Sequence, residues 1–194
     1  YDAYLLLVAG SENNTKLITW IIQYLSQSPE WEAELLEELS DWTPEAFLTG
    51  MRDFPKLQAT ILEGERLKPG ALFHVRRTAT EVDLFGYSLP ADTPVLHMQA
   101  LPHFFDEIYD SPFEFKPQRW LANNYPKKAH GTFGGGTHVC LGRSITRVHA
   151  PVVLANLIKN YRTQLAFTPD FHYRVDLGGA SHREPMPARF IPRD

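Results

Sequence analysis

The segment FGGGTHVCLG, residues 133 to 142, holds the one cysteine of this 194-residue chain, Cys140. Three consecutive glycines suit neither a helix nor a strand. They let the backbone turn sharply and approach a flat ligand closely. A helical pattern, LGRSITRVHAPVVLANLIKNY, follows the cysteine at once. The free N–H groups and positive dipole end of that helix would favour the thiolate form of Cys140. A thiolate in that setting has two uses. It can attack an electrophile, with His138 or His130 as base. It can also serve as a soft ligand to iron. A closed zinc site usually draws on several thiolates, and no second cysteine exists to supply one. An inert buried thiol is the ordinary expectation for a lone cysteine; the glycine frame and the helix start argue against it here.

The elements around this loop follow from pattern and punctuation. Residues 1–27 read as a helix, with Tyr4, Leu7, Val8, Leu17, Ile18, Ile21, Ile22 and Leu25 on one stripe and Gly10 as a weak point. Ser28-Pro29-Glu30 is a start signal for the helix WEAELLEEL, and Thr43-Pro44-Glu45 is a second one for a short helix. A third helix is expected over 54–67, stopped by Lys68-Pro69-Gly70. Short β-type runs fill 70–100, and 102–130 is irregular. A helix over 141–161, with a kink at Pro151, follows the cysteine loop. Alternating residues over 164–193 predict hairpins that turn near Gly178-Gly179. The expectation is one domain over 1–194, mainly α with small β-sheets (α+β).

Composition narrows the class. Hydrophobic residues make up 43% and charged residues 22%, which is globular rather than disordered. Fifteen prolines point to a loop-rich chain. A single cysteine gives no disulfide framework and is compatible with a reducing compartment. The opening YDAYLLLVAGSENN lacks an initiator Met and a basic leader, and its apolar run is too short to span a bilayer. It reads as the middle of a helix, which predicts further sequence upstream. The expected location is the cytoplasm if the protein is soluble; an upstream membrane anchor is the alternative.

The net charge of −4 is unevenly spread. Residues 29–65 carry ten acids, and residues 115–169 carry none. The acid-free stretch holds Lys127, Lys128, Arg143 and Arg147 among its cations. One acidic and one basic face are expected.

The spacing F-x-x-G-x-H-x-C-x-G, carried by Phe133, Gly136, His138, Cys140 and Gly142, resembles the haem-binding loop of cytochromes P450. The resemblance implies haem b as cofactor, Cys140 as the axial ligand of its iron, and Phe133 packed beside it. It implies His138 as a propionate partner, as suits a donor beside an anion. Three further matches lie in order. Glu63 and Arg66 fit E-x-x-R on a helix, and Arg119 in SPFEFKPQRW would join them in one buried structural network. Arg76, rather than Arg77, stands at the distance from Gly86 expected of a second propionate partner. Ala9-Gly10-Ser11-Glu12-Asn13-Asn14 resembles the oxygen-binding segment A-G-x-[DE]-T-[TS]. Glu12 would feed a proton relay, but Asn13 stands where the family usually has Thr. An amide donates and accepts hydrogen bonds, yet it does not relay a proton as a hydroxyl does.

What the resemblance implies is a haem-thiolate oxidoreductase, a monooxygenase placing one oxygen atom of O2 into an apolar substrate. The fold would be the C-terminal portion of the family's, without the N-terminal half. Ala9, Leu72 and Phe73 would line the substrate pocket. An acidic redox partner, such as a ferredoxin, flavodoxin or flavoprotein, would dock at Lys127, Lys128, Arg143 and Arg147. Two alternatives stay open: a haem-thiolate enzyme that uses or rearranges peroxide, motivated by Asn13, and a non-catalytic haem-binding fragment or degenerate homologue, motivated by the missing half.

Overall fold

The computed structural model describes residues 2–45, 53–122, 130–166, 173–176, 179–183 and 185–193. Four helices form the body: α1 (Asp2–Ser26), α2 (Pro29–Glu38), α3 (Pro55–Leu67) and α4 (Arg143–Asn160). Each is legible from its pattern or its start signal. The short helix expected after Thr43-Pro44-Glu45 falls mainly on 46–52, outside the described residues. Helix α4 runs through Pro151 as one continuous element. No described helix is long and apolar enough to cross a membrane.

The helices share one core. Leu17, Ile21 and Leu25 of α1 meet Trp31 and Leu35 of α2, Leu57 and Ile61 of α3, and Leu154 and Ile158 of α4. Burying aliphatic and aromatic side chains of this size is worth about 1.5–3 kcal/mol each. Gly64 sets how closely α3 approaches α1, because a Cβ there would meet Ile21 Cγ1 at 2.6 Å. The α1 stripe is buried only over its second half. Tyr4 and Leu7 are exposed, so the first turns of that face have no cover within the described fold.

Tertiary contacts cap the helices. Phe54, before α3, offers no side-chain cap. Glu38 supplies one from α2, accepting from the backbone N–H groups of Lys56 (2.6 Å) and Leu57 (2.8 Å). Burial still outweighs those bonds and raises the Glu38 carboxyl above its usual range. Lys159 Nζ donates to the carbonyls of Ser40 and Trp42, tying the end of α4 to the end of α2.

The strands form four antiparallel pairs. β1 (His74–Arg77) pairs with β4 (Pro94–His97), and β2 (Val82–Leu84) with β3 (Tyr87–Leu89). β5 (Tyr161–Leu165) pairs with β8 (Ala188–Pro192), and β6 (Tyr173–Asp176) with β7 (Gly179–His182). β7 docks on α1: Trp20 Nε1 donates to the Ala180 carbonyl at 3.0 Å, and the His182 ring stacks on Trp20 at 3.7 Å.

Candidate functional site

The cysteine loop is shaped by its own backbone. The Cys140 N–H donates to the Phe133 carbonyl (2.9 Å), and the Gly134 N–H to the Gly131 carbonyl (2.9 Å). Gly134 and Gly136 have φ of 67° and 62°, a region side chains rarely adopt. A Cβ on Gly134 would also press on the His138 carbonyl at 3.4 Å. Gly142 then caps α4, its carbonyl accepting from Thr146 N–H at 2.9 Å. Cys140 is left exposed, and the helix starts at Arg143, two residues later than the expected 141.

Cys140 opens into a cavity of about 350 Å³. Ala9, Gly10, Asn13 and Asn14 of α1 form one wall, and Phe133, His138, Cys140 and Gly142 the other. Ile145 and Thr146 of α4, Glu65 and Lys68, the Gly70–Ala71 turn with His74, and Leu17 and Thr132 complete the lining. Asn13 lies against Gly70, and Asn14 donates from its side chain to the Gly10 carbonyl at 2.9 Å.

A second cleft of about 380 Å³ adjoins the first, and His74 and His138 line both. Arg76 and His97 face this second cleft as well. Four side chains able to carry positive charge therefore gather at one edge of the apolar cavity. The thiol of Cys140 lines the first cavity, and donors suited to anionic groups line the adjoining cleft.

Helix α3 also carries a buried carboxylate network. Arg66 holds both Glu63 oxygens, at 2.9 and 2.8 Å. Arg119 Nε (3.1 Å), Trp120 Nε1 (2.8 Å) and the Lys116 N–H (2.9 Å) complete the shell of Glu63. Arg66 also donates to the carbonyls of His103 and Pro112, and Arg119 to that of Asp110. One fully buried ion pair thus fastens the irregular segment after residue 102, with every partner hydrogen-bonded as burial requires.

Other expected residues fall elsewhere. Glu12 pairs with Lys16 one turn on, at 2.7 Å, and is not part of the cavity wall. Leu72 and Phe73 are also absent from the wall; Ala71 and His74 stand there instead. Arg77 turns away to Asp92 (2.8 Å), which leaves Arg76 for the cleft. His130 faces inward, beside the Leu62 carbonyl at 3.2 Å, and burial pushes its imidazole down to about 3. It is not among the residues that line the Cys140 cavity. Arg143 is exposed, but Arg147 reaches Glu65 at 3.3 Å. Lys127 and Lys128 lie outside the described residues.

Sequence reasoning missed His74, His97 and Glu65. A signal existed for His74. His74 and Arg76 are two apart on β1 and share a face, and His97 stands opposite His74.

The family model described as Cytochrome P450 matches residues 3–172. The chain is 32% identical to the pentalenene oxygenase of Streptomyces avermitilis, over 96% of this chain and 42% of that protein. It is 30% identical to the human mitochondrial sterol 26-hydroxylase, over 83% of this chain and 32% of that protein. It is 32% identical to the steroid 21-hydroxylase of Felis catus, over 97% of this chain and 40% of that protein. The chain spans about a third to two fifths of the length of these relatives.

Proposed function

The chain belongs to the cytochrome P450 family, and from that premise we propose that it forms the thiolate side and part of the oxygen side of a haem monooxygenase. One observation carries the reading: Cys140 and the Gly10–Asn13 turn of α1 face each other across a single cavity. The residues present fit haem. The cavity wall is largely apolar, the thiol stands free within it, and donors for two propionates cluster at its edge. Cys140 would hold the iron, with His74, Arg76, His97 and His138 meeting the propionates. Haem, when bound, supplies oxygen activation and the insertion of one oxygen atom into a C–H bond.

The chain's own residues do the positioning. The Phe133 carbonyl fixes the Cys140 backbone through the 2.9 Å bond, so the sulfur has a set height above the loop. Gly10 presents no side chain to the cavity, and a Cβ there would find nothing within 4 Å. That opening gives room for a small ligand. Asn13 and Asn14 bring amide donors to the same wall. The substrate would be apolar, entering above Ala9 and Ala71. Electrons would come from an acidic partner near exposed Arg143.

The absorption spectrum of the reduced, carbon monoxide-bound protein tests the ligand. A red-shifted Soret band, lost in Cys140→Ser, is expected. Haem binding without that band, or with no change in the serine variant, refutes the assignment.

Asn13 supports a second reading, in which the oxygen donor is a peroxide. Its amide lines the cavity, and by the resemblance it stands where the family usually has a hydroxyl able to relay a proton. Product formed from added peroxide with no reductant present would favour this reading. Strict dependence on an electron donor would exclude it.

A further inference from the structure

Among the described residues, Glu65 is the one acid in the cavity wall, and nothing in the haem-holding scheme uses it. It lies on α3 two residues from Glu63 and points to the other side of the helix. Its side chain is 2% exposed. One oxygen accepts from Arg147 Nη2 at 3.3 Å and stands 3.7 Å from His130 Nε2. The other oxygen is buried, with no hydrogen-bond partner among the described residues. An unpartnered carboxylate oxygen in such a site is costly. The Arg147 guanidinium lies over the Phe133 ring at 5.3 Å, and Phe133 is the residue whose carbonyl holds Cys140. Carboxylate, guanidinium, ring and cysteine loop follow one another in contact.

We propose that Glu65, braced by Arg147, sets the charge on the Cys140 side of the haem and thereby lowers the reduction potential of the iron. The inference rests on the haem-thiolate reading. A buried charge in a low-dielectric setting acts over a long distance. A negative charge beside the iron opposes the arrival of an electron, and neutralising it favours that arrival. Arg147 offsets the charge only in part, since its own side chain is 33% exposed to water. Burial also pushes the Glu65 carboxyl up to about 7, against the pull of Arg147 and Arg143. The charge is therefore switched by proton uptake near neutrality.

Other titratable and charged groups surround the site. Arg143 and Arg147 approach from α4, His130 with His103 stacked on it from the irregular segment, and Arg66 lies on α3 itself. Lys68, His74 and His138 share the cavity. A variant is needed to separate Glu65 from these.

The test uses the full-length haem protein. The carbon monoxide spectrum of the reduced wild type comes first, and loss of the thiolate band there would remove the haem-thiolate reading itself. With the band present, spectroelectrochemical midpoints are measured from about pH 6 to about pH 8 for wild type and Glu65→Gln. The wild-type midpoint should fall across that range as Glu65 ionises. In Glu65→Gln the midpoint at about pH 8 should match wild type at about pH 6, with the step gone. An unchanged midpoint and an unchanged step in Glu65→Gln would overturn the proposal. If that variant fails to fold, Glu65→Leu takes its place, and a midpoint unchanged from wild type at about pH 8 overturns the proposal equally.

Discussion

The carbonyl of Gly70 occupies the space that a Cβ on Gly179 would need. The turn after α3 and the start of β7 therefore meet backbone to backbone. Gly70 lines the cavity, so this contact fixes how far that wall stands from α1. Gly179→Ala should push β7 outward, destabilising the chain by roughly 1–3 kcal/mol. Denaturant titration would show the loss. A variant as stable as wild type, with the same substrate selectivity, would mean that the wall moves freely.

The Glu63 network makes a steeper prediction. Glu63→Ala leaves Arg66, fully buried, and Arg119 without their shared anion. Breaking such a pair costs about 3–5 kcal/mol. The variant should be recovered unfolded or unable to retain haem, whatever the substrate. Wild-type denaturation midpoints for Glu63→Ala would contradict the structural role given to this network.

Arg76 and Arg77 separate cleanly. Arg76 faces the cleft, whereas Arg77 is paired with Asp92 on the outer side. Arg76→Leu should release haem about tenfold faster, equivalent to about 1.4 kcal/mol. Arg77→Leu should leave haem loss unchanged. Transfer of haem to an apo-acceptor protein measures both rates, and equal rates in the two variants would reject the assignment.

Stability should depend on pH from both sides. Burial pushes His103 and His182 down to about 4, and His130 to about 3. The unfolded chain takes up these protons near the ordinary value of about 6.5, and the folded chain does so only at lower pH. Their contribution is complete above about 6.5 and is lost as pH falls toward those lower values. Glu65 acts in the opposite sense. Its folded value of about 7 lies above the ordinary 4.5, so its contribution is complete below 4.5 and is lost as pH rises through about 7. His103 and His130 are stacked and titrate together, so the acid loss should be a few kcal/mol rather than a full sum. Urea midpoints should peak a little below neutrality, at about pH 6, where most of the histidine contribution is present and part of the Glu65 contribution remains. A profile that is level from about pH 4 to about pH 8 would contradict this.

Much of the site is legible in residue order. The glycine run, Cys140 and the following helix can be read from residue type alone, because each constraint is local. The E-x-x-R pair is legible for the same reason: three residues bring two side chains to one helix face. The reach of Arg119 to Glu63 needs the family resemblance, since their contact spans 56 residues. His97 and Glu65 escape because their role comes from strand pairing and helix packing, not from local spacing. Leu72 and Phe73 are misplaced for a related reason. The chain between Gly70 and β1 is irregular, and no period tells which side chains face the cavity. The buried half of the α1 stripe follows its hydrophobic pattern, but the exposure of Tyr4 and Leu7 cannot be read from it.

Helix α3 begins on the Glu38 carboxylate of α2 rather than on a cap of its own. The first turn of α3 should therefore open and close together with α2 in local unfolding. Fraying of α2 would expose the first amides of α3, while Glu63 and Arg66 lie in its later turns. Amide hydrogen exchange at Lys56 and Leu57 should then follow exchange in α2, with protection rising along α3 toward the arginine. The segment that anchors the irregular chain would thus be shielded from the fluctuations at its own start.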